Sequence, residues 1–258
     1  MEDCSIVVSS CDRFKDCWKP FIFAFEQAWP GCPYEKYFIS NHEGLEDSRF
    51  CFLRVGEDRK WGDNLVKGLE YLQSKYILYM QEDYWLSVPV RSSFIEEQLL
   101  YCEKEGLDYL RITFPWKDAG DIDGIHALSP TEEPYGICLQ SAIWRKDFLL
   151  RLIRPGMSGW DFEDMCNAMG KTRYKTRVLL ENVSKQEFHY VDAVRKGRWT
   201  RIGYSWLKKN GFKVEMASRP KEGIVLTYSS WMQTRGGRWI QAAAKRINGL
   251  MRQKNWNF

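Results

Sequence analysis

The sequence predicts an α/β fold of three layers around a largely parallel sheet. Three observations lead there. Short β-branched or aromatic runs alternate with segments of helical spacing. The 258 residues are 44% apolar and 15% aromatic, enough for a substantial core. Polar residues also stand just past the ends of three successive strand-like runs, where open parallel sheets bind ligands.

Each element has its own signal. "CSIVVSSC", Cys4 to Cys11, is short, β-branched and nearly uncharged, as a buried first strand should be. "DCWKPFIFAFEQAW" follows with Phe21, Phe25 and Ala28 on one helical side, and Pro20 is expected near the first turn. "KYFISN" makes a second strand. In "GDNLVKGLEYLQS", Leu65, Leu69 and Leu72 recur at the spacing of a buried helical face. "YILYM" is a third strand and runs into Gln81, Glu82 and Asp83. Helix "SSFIEEQLLYCEKE" and strand "LDYLRITF" come next. From Trp116 to Gly136 the Gly, Asp and Pro content predicts a long loop of the kind that carries function. "ICLQSAIW" is again a strand and "RKDFLLRLI" a helix. "SGWDFEDMCNAMG" starts a further helix, with Ser158 or Asp161 as its N-cap. Near the end, "RWIQAAAKRINGLMRQ" reads as a basic amphipathic helix.

Charge is distributed unevenly. The net charge is only +4, which does not indicate a nucleic-acid partner. Beyond Glu187, however, Arg195, Lys196, Arg198, Arg201, Lys208, Lys209 and Lys213 dominate, and no acid occurs from Gly223 onward. Such an end suits an anionic partner, either a phosphate-bearing substrate or a membrane surface. The terminal helix therefore has two readings, a cap on the core or a lodger on an anionic membrane face. No signal-like segment or bilayer-length run is present, which predicts a cytoplasmic protein, peripheral at most. Eight cysteines without a C-x-x-C pair are expected to be reduced core fillers rather than a zinc site.

Three strand ends outline one crevice: "SSCDR", Ser40–Asn41 and "QED". Glu82 and Asp83 offer the hard oxygens that Mg²⁺ or Mn²⁺ takes together with phosphate. The competing reading is a solvated acidic turn. Tyr84 and Trp85 beside it suit a sugar or base platform. The first turn of "GWDFED" offers Asp161, Glu163 and Asp164, which are either candidate general bases or ordinary helix-start carboxylates.

The order of "SSCDR", the helix through "GLEYL", "YILYM", "QED" and later "GWDFED" resembles the nucleotide-sugar glycosyltransferases of the GT-A fold. The resemblance is to their inverting, family 2-like members of the bacterial surface-polysaccharide type. It implies a Rossmann-like three-layer domain over residues 1–215, with a nucleotide half at 1–115 and an acceptor half at 116–215. Residues 216–258 become a basic C-terminal extension. The resemblance sets Gln81, Glu82 and Asp83 on that family's Asp-x-Asp metal motif, with Gln81 in place of the first acid. It implies Mn²⁺ or Mg²⁺ on Asp83 and Glu82, with His189 as a late ligand. Ser9, Ser10, Cys11, Asp12 and Arg13 would surround the nucleotide, joined by Asn41 and Asn64. Trp160 and Gln140 would meet the acceptor. Glu163 is favoured as base, then Asp161. The implied activity is sugar transfer from a nucleotide-sugar donor to a glycan or lipid-linked glycan. Two rivals stay open: a nucleotidyltransferase on a related sheet, and a non-catalytic carbohydrate- or partner-binding protein with a degenerate metal site.

Overall fold

A computed structural model of the chain describes residues 3–113, 127–130, 137–168, 175–180, 187–213 and 219–222. The chain forms two compact units, Met1–Val191 and Asp192–Phe258. The expected terminal helix and most of the expected Trp116–Gly136 loop lie outside the described residues.

In the first unit the strands are β1 (Cys4–Ser9), β2 (Glu35–Ser40), β3 (Cys51–Arg54), β4 (Tyr76–Gln81), β5 (Tyr84–Leu86), β6 (Tyr109–Arg111), β7 (Ala127–Pro130), β8 (Ala142–Arg145) and β9 (Thr176–Leu180), and β10 (Tyr190–Asp192) ends on the first residue of the second. The helices are α1 (Lys15–Ala28), α2 (Trp61–Glu70), α3 (Ser92–Glu105), α4 (Lys146–Leu152) and α5 (Gly159–Ala168). Eight strands form one sheet in the order β3-β2-β1-β4-β8-β6-β9-β7, while β5 pairs with β10. β1 runs parallel to β2 and β4, and β2 to β3, so their carboxyl ends share one edge. Only β8 and β7 run against the rest. The architecture is thus the mostly parallel α/β sheet expected.

Alternation along the central strands sorts the core into two layers. Val7, Ile39, Ile77 and Tyr79 face α2, α4 and α5, where Leu65, Leu69, Trp144, Phe148 and Phe162 complete a cluster. On the opposite side Phe38 meets Trp18 and Phe21 of α1 edge-on, with ring centroids 5.8 and 5.5 Å apart. Helix α2 lies so close to β2 that a Cβ on Gly68 would sit 2.4 Å from Ile39 Cδ1. That contact fixes the height at which α2 delivers its first turn to the sheet edge.

Several elements differ from the sequence expectation. Pro20 sits in the second turn of α1, because a 3-10 turn at Asp12–Phe14 leads into the helix. β3 is an edge strand of four residues with a half-exposed pattern, too short and mixed to announce itself. β7 arises within the segment expected as loop and pairs antiparallel with β9. In the second unit, β11 (Val194–Arg195) and β12 (Arg198–Trp199) form a hairpin through Lys196 and Gly197, both at positive φ. Helix α6 (Arg201–Lys209) follows, capped by Thr200, whose hydroxyl accepts the Gly203 N–H. A Cβ on Gly203 would lie 2.7 Å from Ala193 backbone atoms, so this helix docks tightly on its own hairpin. Compactness divides the chain at Asp192, whereas the division the resemblance implies follows residue 215. Among the described residues no helix is long and apolar enough to cross a membrane.

Candidate functional site

The strand ends create the site. In the β1–β4 register Ser9 lies opposite Gln81, so the segment after β1 and the turn after β4 leave the sheet side by side. Ser10 accepts the Trp18 indole N–H at 2.8 Å, and this anchors the first of these segments to α1. Asp12 then latches it to the end of β2. Its carboxylate accepts the backbone N–H groups of Asn41 (2.9 Å), His42 (2.9 Å) and Glu43 (3.2 Å). In return Asn41 Oδ1 accepts the Asp12 N–H at 3.2 Å. Burial alone would raise the Asp12 pKa, but the three N–H groups outweigh it and hold the carboxyl below its ordinary value. Asp12, expected at the nucleotide, is thus occupied in shaping the crevice.

Two amides in this crevice carry a more specific signal. Asn41 and Asn64 are 3% and 2% exposed. Asn41 Oδ1 is taken by Asp12, and Asn64 Nδ2 donates to Asp58 Oδ1 at 2.8 Å, so the orientation of each amide is fixed. The other ends, Asn41 Nδ2 and Asn64 Oδ1, are buried and have no hydrogen-bond partner. A buried orphan donor or acceptor costs about 1–3 kcal/mol. A ligand edge offering both an acceptor and a donor removes that cost. Asp58 also lies 3.5 Å from the Arg13 guanidinium, which is otherwise 80% exposed. Asp58 therefore positions two predicted site residues, and sequence reasoning missed it. The strand before it, β3, went unrecognised, so "GEDRK" carried no strand-end signal.

The acidic pair forms the turn between β4 and β5. Glu82 is 6% exposed and Asp83 half-buried. The Trp85 indole N–H caps the Glu82 carbonyl at 3.1 Å, fixing the turn. Burial raises the pKa of Cys11, the Arg13 backbone N–H opposes this, and the Glu82 charge adds to the rise. Gln81 points its amide N–H to the Tyr79 hydroxyl at 3.3 Å, and Trp61 donates to the same oxygen at 3.0 Å.

The expected ligand set of Glu82, Asp83 and His189 is not gathered. Among the described residues no three His, Cys, Asp or Glu side chains converge to hold a metal ion. His189 instead shares a 2.7 Å hydrogen bond with Ser87 Oγ, and its carbonyl accepts the Ser87 N–H at 2.9 Å. Strand β5 stands between Asp83 and Ser87, about 10 Å of extended chain. Burial also lowers the His189 pKa and favours the neutral ring. What remains is an adjacent carboxylate pair, whose chemistry fits a hard cation that draws its other ligands from phosphate.

On the acceptor side, Phe162 is buried against Trp61 and Trp144 at centroid distances of 5.1 and 5.9 Å. That contact sets the rotation of α5. It leaves Trp160 77% exposed and turns Glu163 partly inward. Glu163 Oε1 accepts the Leu139 N–H at 2.8 Å. Burial raises its pKa above the carboxylate norm, the Leu139 N–H opposes this, and the Asp164 charge adds to the rise. Asp161 behaves differently. It accepts the N–H and hydroxyl of Ser158 at 2.8 and 2.7 Å, and its own N–H is 3.2 Å from Ser158 Oγ. This is a reciprocal capping arrangement, and it holds the Asp161 pKa low. Gln140, next to Leu139, accepts the Tyr190 hydroxyl, and Tyr190 stacks on Tyr84 at 4.2 Å. A continuous path of contacts thus joins Glu163 to the residue after Asp83. Asp63 accepts the Gly156 N–H at 2.9 Å and ties α2 to the loop before α5.

No protein-family model and no curated sequence matches the chain. Solved structures match its fold. S. aureus TarS residues 1–349 with UDP-GlcNAc aligns over 90% of this chain and 72% of that one, at 10% identity and a TM-score of 0.51. The same fragment with UDP aligns over 73% and 60%, at 9% identity and 0.50. Against a third structure of the TarS fragment, the chain spans 60% of that fragment's length. A looser likeness, TM-score 0.46 at 15% identity, extends to a nucleotidyl transferase from Methanothermobacter. The fold is that of TarS, a GT-A glycosyltransferase.

Proposed function

We propose that the chain transfers a sugar from a nucleotide-sugar donor to a glycan or lipid-linked glycan, by single displacement with inversion. The observation that carries this reading is the orphaned pair Asn41 Nδ2, just past β2, and Asn64 Oδ1, in the first turn of α2. A base edge satisfies both amides, and a diphosphate extends toward the carboxylates. The UDP and UDP-GlcNAc complexes of TarS, which shares the fold, support the donor class.

The chain's own residues divide the work. Asn41 and Asn64 orient the base, Asp12 and Asp58 hold them in place, and Ser9, Ser10, Cys11 and Arg13 line the approach. Glu82 and Asp83 would hold Mn²⁺ or Mg²⁺ together with phosphate oxygens, and such an ion supplies charge neutralisation on the departing nucleoside diphosphate. Glu163 accepts the proton of the acceptor hydroxyl as that oxygen attacks the anomeric carbon. Its raised pKa brings its basicity toward working pH. Asp161 is committed to Ser158, which leaves the base role with Glu163. Trp160 offers an exposed ring for an acceptor sugar to stack on, and Gln140 is the second acceptor contact.

A panel of nucleotide sugars, nucleoside diphosphates and nucleoside triphosphates, each with and without Mn²⁺, tests this by thermal shift. A ligand at a hundred times its Kd stabilises the native state by about 2.7 kcal/mol. The reading predicts that a nucleotide sugar raises the melting temperature most, and that Mn²⁺ increases the effect. Stabilisation by a triphosphate with release of pyrophosphate would put a nucleotidyltransferase in its place. If no nucleotide shifts the transition, the binding-protein alternative stands.

A further inference from the structure

Helix α6 in the second unit buries one side and exposes Ile202 on the other. Gly203 and Leu207 face inward, and Lys221 lies 3.4 Å over the Tyr204 ring. Ile202, Trp206 and Lys209 recur at i, i+4 and i+7 on the outer side. Ile202 is 69% exposed, unusual for a large aliphatic side chain in a nine-residue helix. With Arg201 and Ser205 these residues line a shallow groove whose floor is apolar and whose ends are cationic. Trp206 is steadied by stacking on Phe212 at 6.0 Å. The exposed charges on α6 and on the hairpin before it are cationic, while Asp192 and Glu222 pair with Arg195. From Ala193 to Lys213 the sequence carries Arg195, Lys196, Arg198, Arg201, Lys208, Lys209 and Lys213 and no acid. Lys196, Arg198, Arg201, Lys208, Lys209 and Lys213 are all exposed.

We propose that α6 docks on an anionic phospholipid bilayer, with Ile202 and Trp206 entering the headgroup boundary and the surrounding cations engaging lipid phosphates. Two features select this occupant. The apolar floor amounts to two side chains, far short of the roughly 800 Å² per partner of a stable protein interface. A shallow aromatic and aliphatic wedge ringed by Lys and Arg is instead the pattern of a helix lying in a membrane interface. The inference does not rest on the sugar-transfer reading.

Sedimentation of the full chain with vesicles tests it. One preparation is phosphatidylcholine alone, and the other contains about one quarter phosphatidylglycerol. The wild type should pellet with the anionic vesicles and stay in solution with the neutral ones. Each cation near an anionic surface strengthens binding about fivefold, so Lys208→Gln with Lys209→Gln should weaken it about twenty-five-fold. Ile202→Asp should weaken it at least tenfold at an unchanged melting temperature. Should Ile202→Asp disturb the fold, Ile202→Ser carries the same test. Pelleting of these variants like wild type would overturn the proposal, as would equal binding to neutral vesicles. Binding to soluble polyphosphate without any binding to vesicles would also overturn it, pointing to a phosphate polymer.

Discussion

Replacing Asp12 by alanine removes the latch between the ends of β1 and β2. Three backbone N–H groups, at 2.9, 2.9 and 3.2 Å, lose their acceptor. At about 1 kcal/mol net per bond the loss is about 3 kcal/mol, and because the site is half-buried, water recovers part of it. A cost of about 2 kcal/mol is therefore expected, which lowers the melting temperature of a chain this size by about 4–8 °C. The sign with pH follows from the depressed pKa of the folded state. The stabilisation is complete above the unfolded value, about 3.9, and is lost as pH falls through the lower folded value. Thermal melts of wild type and Asp12→Ala from pH 7 to pH 2.5 read both effects. The gap should be full at pH 7 and should close toward the acid end. A melting temperature within about 1 °C of wild type at pH 7 would refute the latch.

Three further outcomes follow from the same geometry. Glu163→Gln should cut turnover about 10²–10⁴-fold with little change in donor affinity, and the acid limb of the wild-type rate profile should lie above the ordinary 4.5. That variant should also be slightly more stable at neutral pH, because a raised folded pKa means the charged carboxylate costs stability there. Asn41→Ala and Asn64→Ala should each weaken nucleotide binding by about 1–3 kcal/mol, measured calorimetrically, while Ser205→Ala, at an exposed position in the other unit, leaves it unchanged. Gly68→Ala should destabilise by about 1–3 kcal/mol in denaturant titrations, because its Cβ would fall 2.4 Å from Ile39 Cδ1.

The central strands and helices were legible because periodicity reports burial directly. β1, with all six residues buried, and α2, with Leu65 and Leu69 inward, could hardly read otherwise. β3, β5 and β9 were not legible. They are three to five residues long, and short partial strands match turns and loops equally well. The placement of the candidate residues at one sheet edge was legible, their roles less so. Strand-end logic found Ser9, Asn41 and the Glu82–Asp83 turn, since position in a parallel sheet follows from strand order. It could not separate Asp12 and Asp161, whose carboxylates are occupied by backbone N–H groups, from Asn41 and Asn64, which each keep a buried polar atom unsatisfied. That distinction depends on contacts across 29 and 6 residues of chain. His189 was assigned to a metal by its place in the sequence, yet pairing of β10 with β5 carried it to Ser87.

The most direct measurement is a crystal structure of the chain with a bound nucleotide sugar and Mn²⁺. The base edge should lie within hydrogen-bond distance of both Asn41 Nδ2 and Asn64 Oδ1, and the diphosphate should reach the Asp83 carboxylate directly or through the ion. A nucleotide seated elsewhere, with those two amide atoms still unsatisfied, would contradict the account.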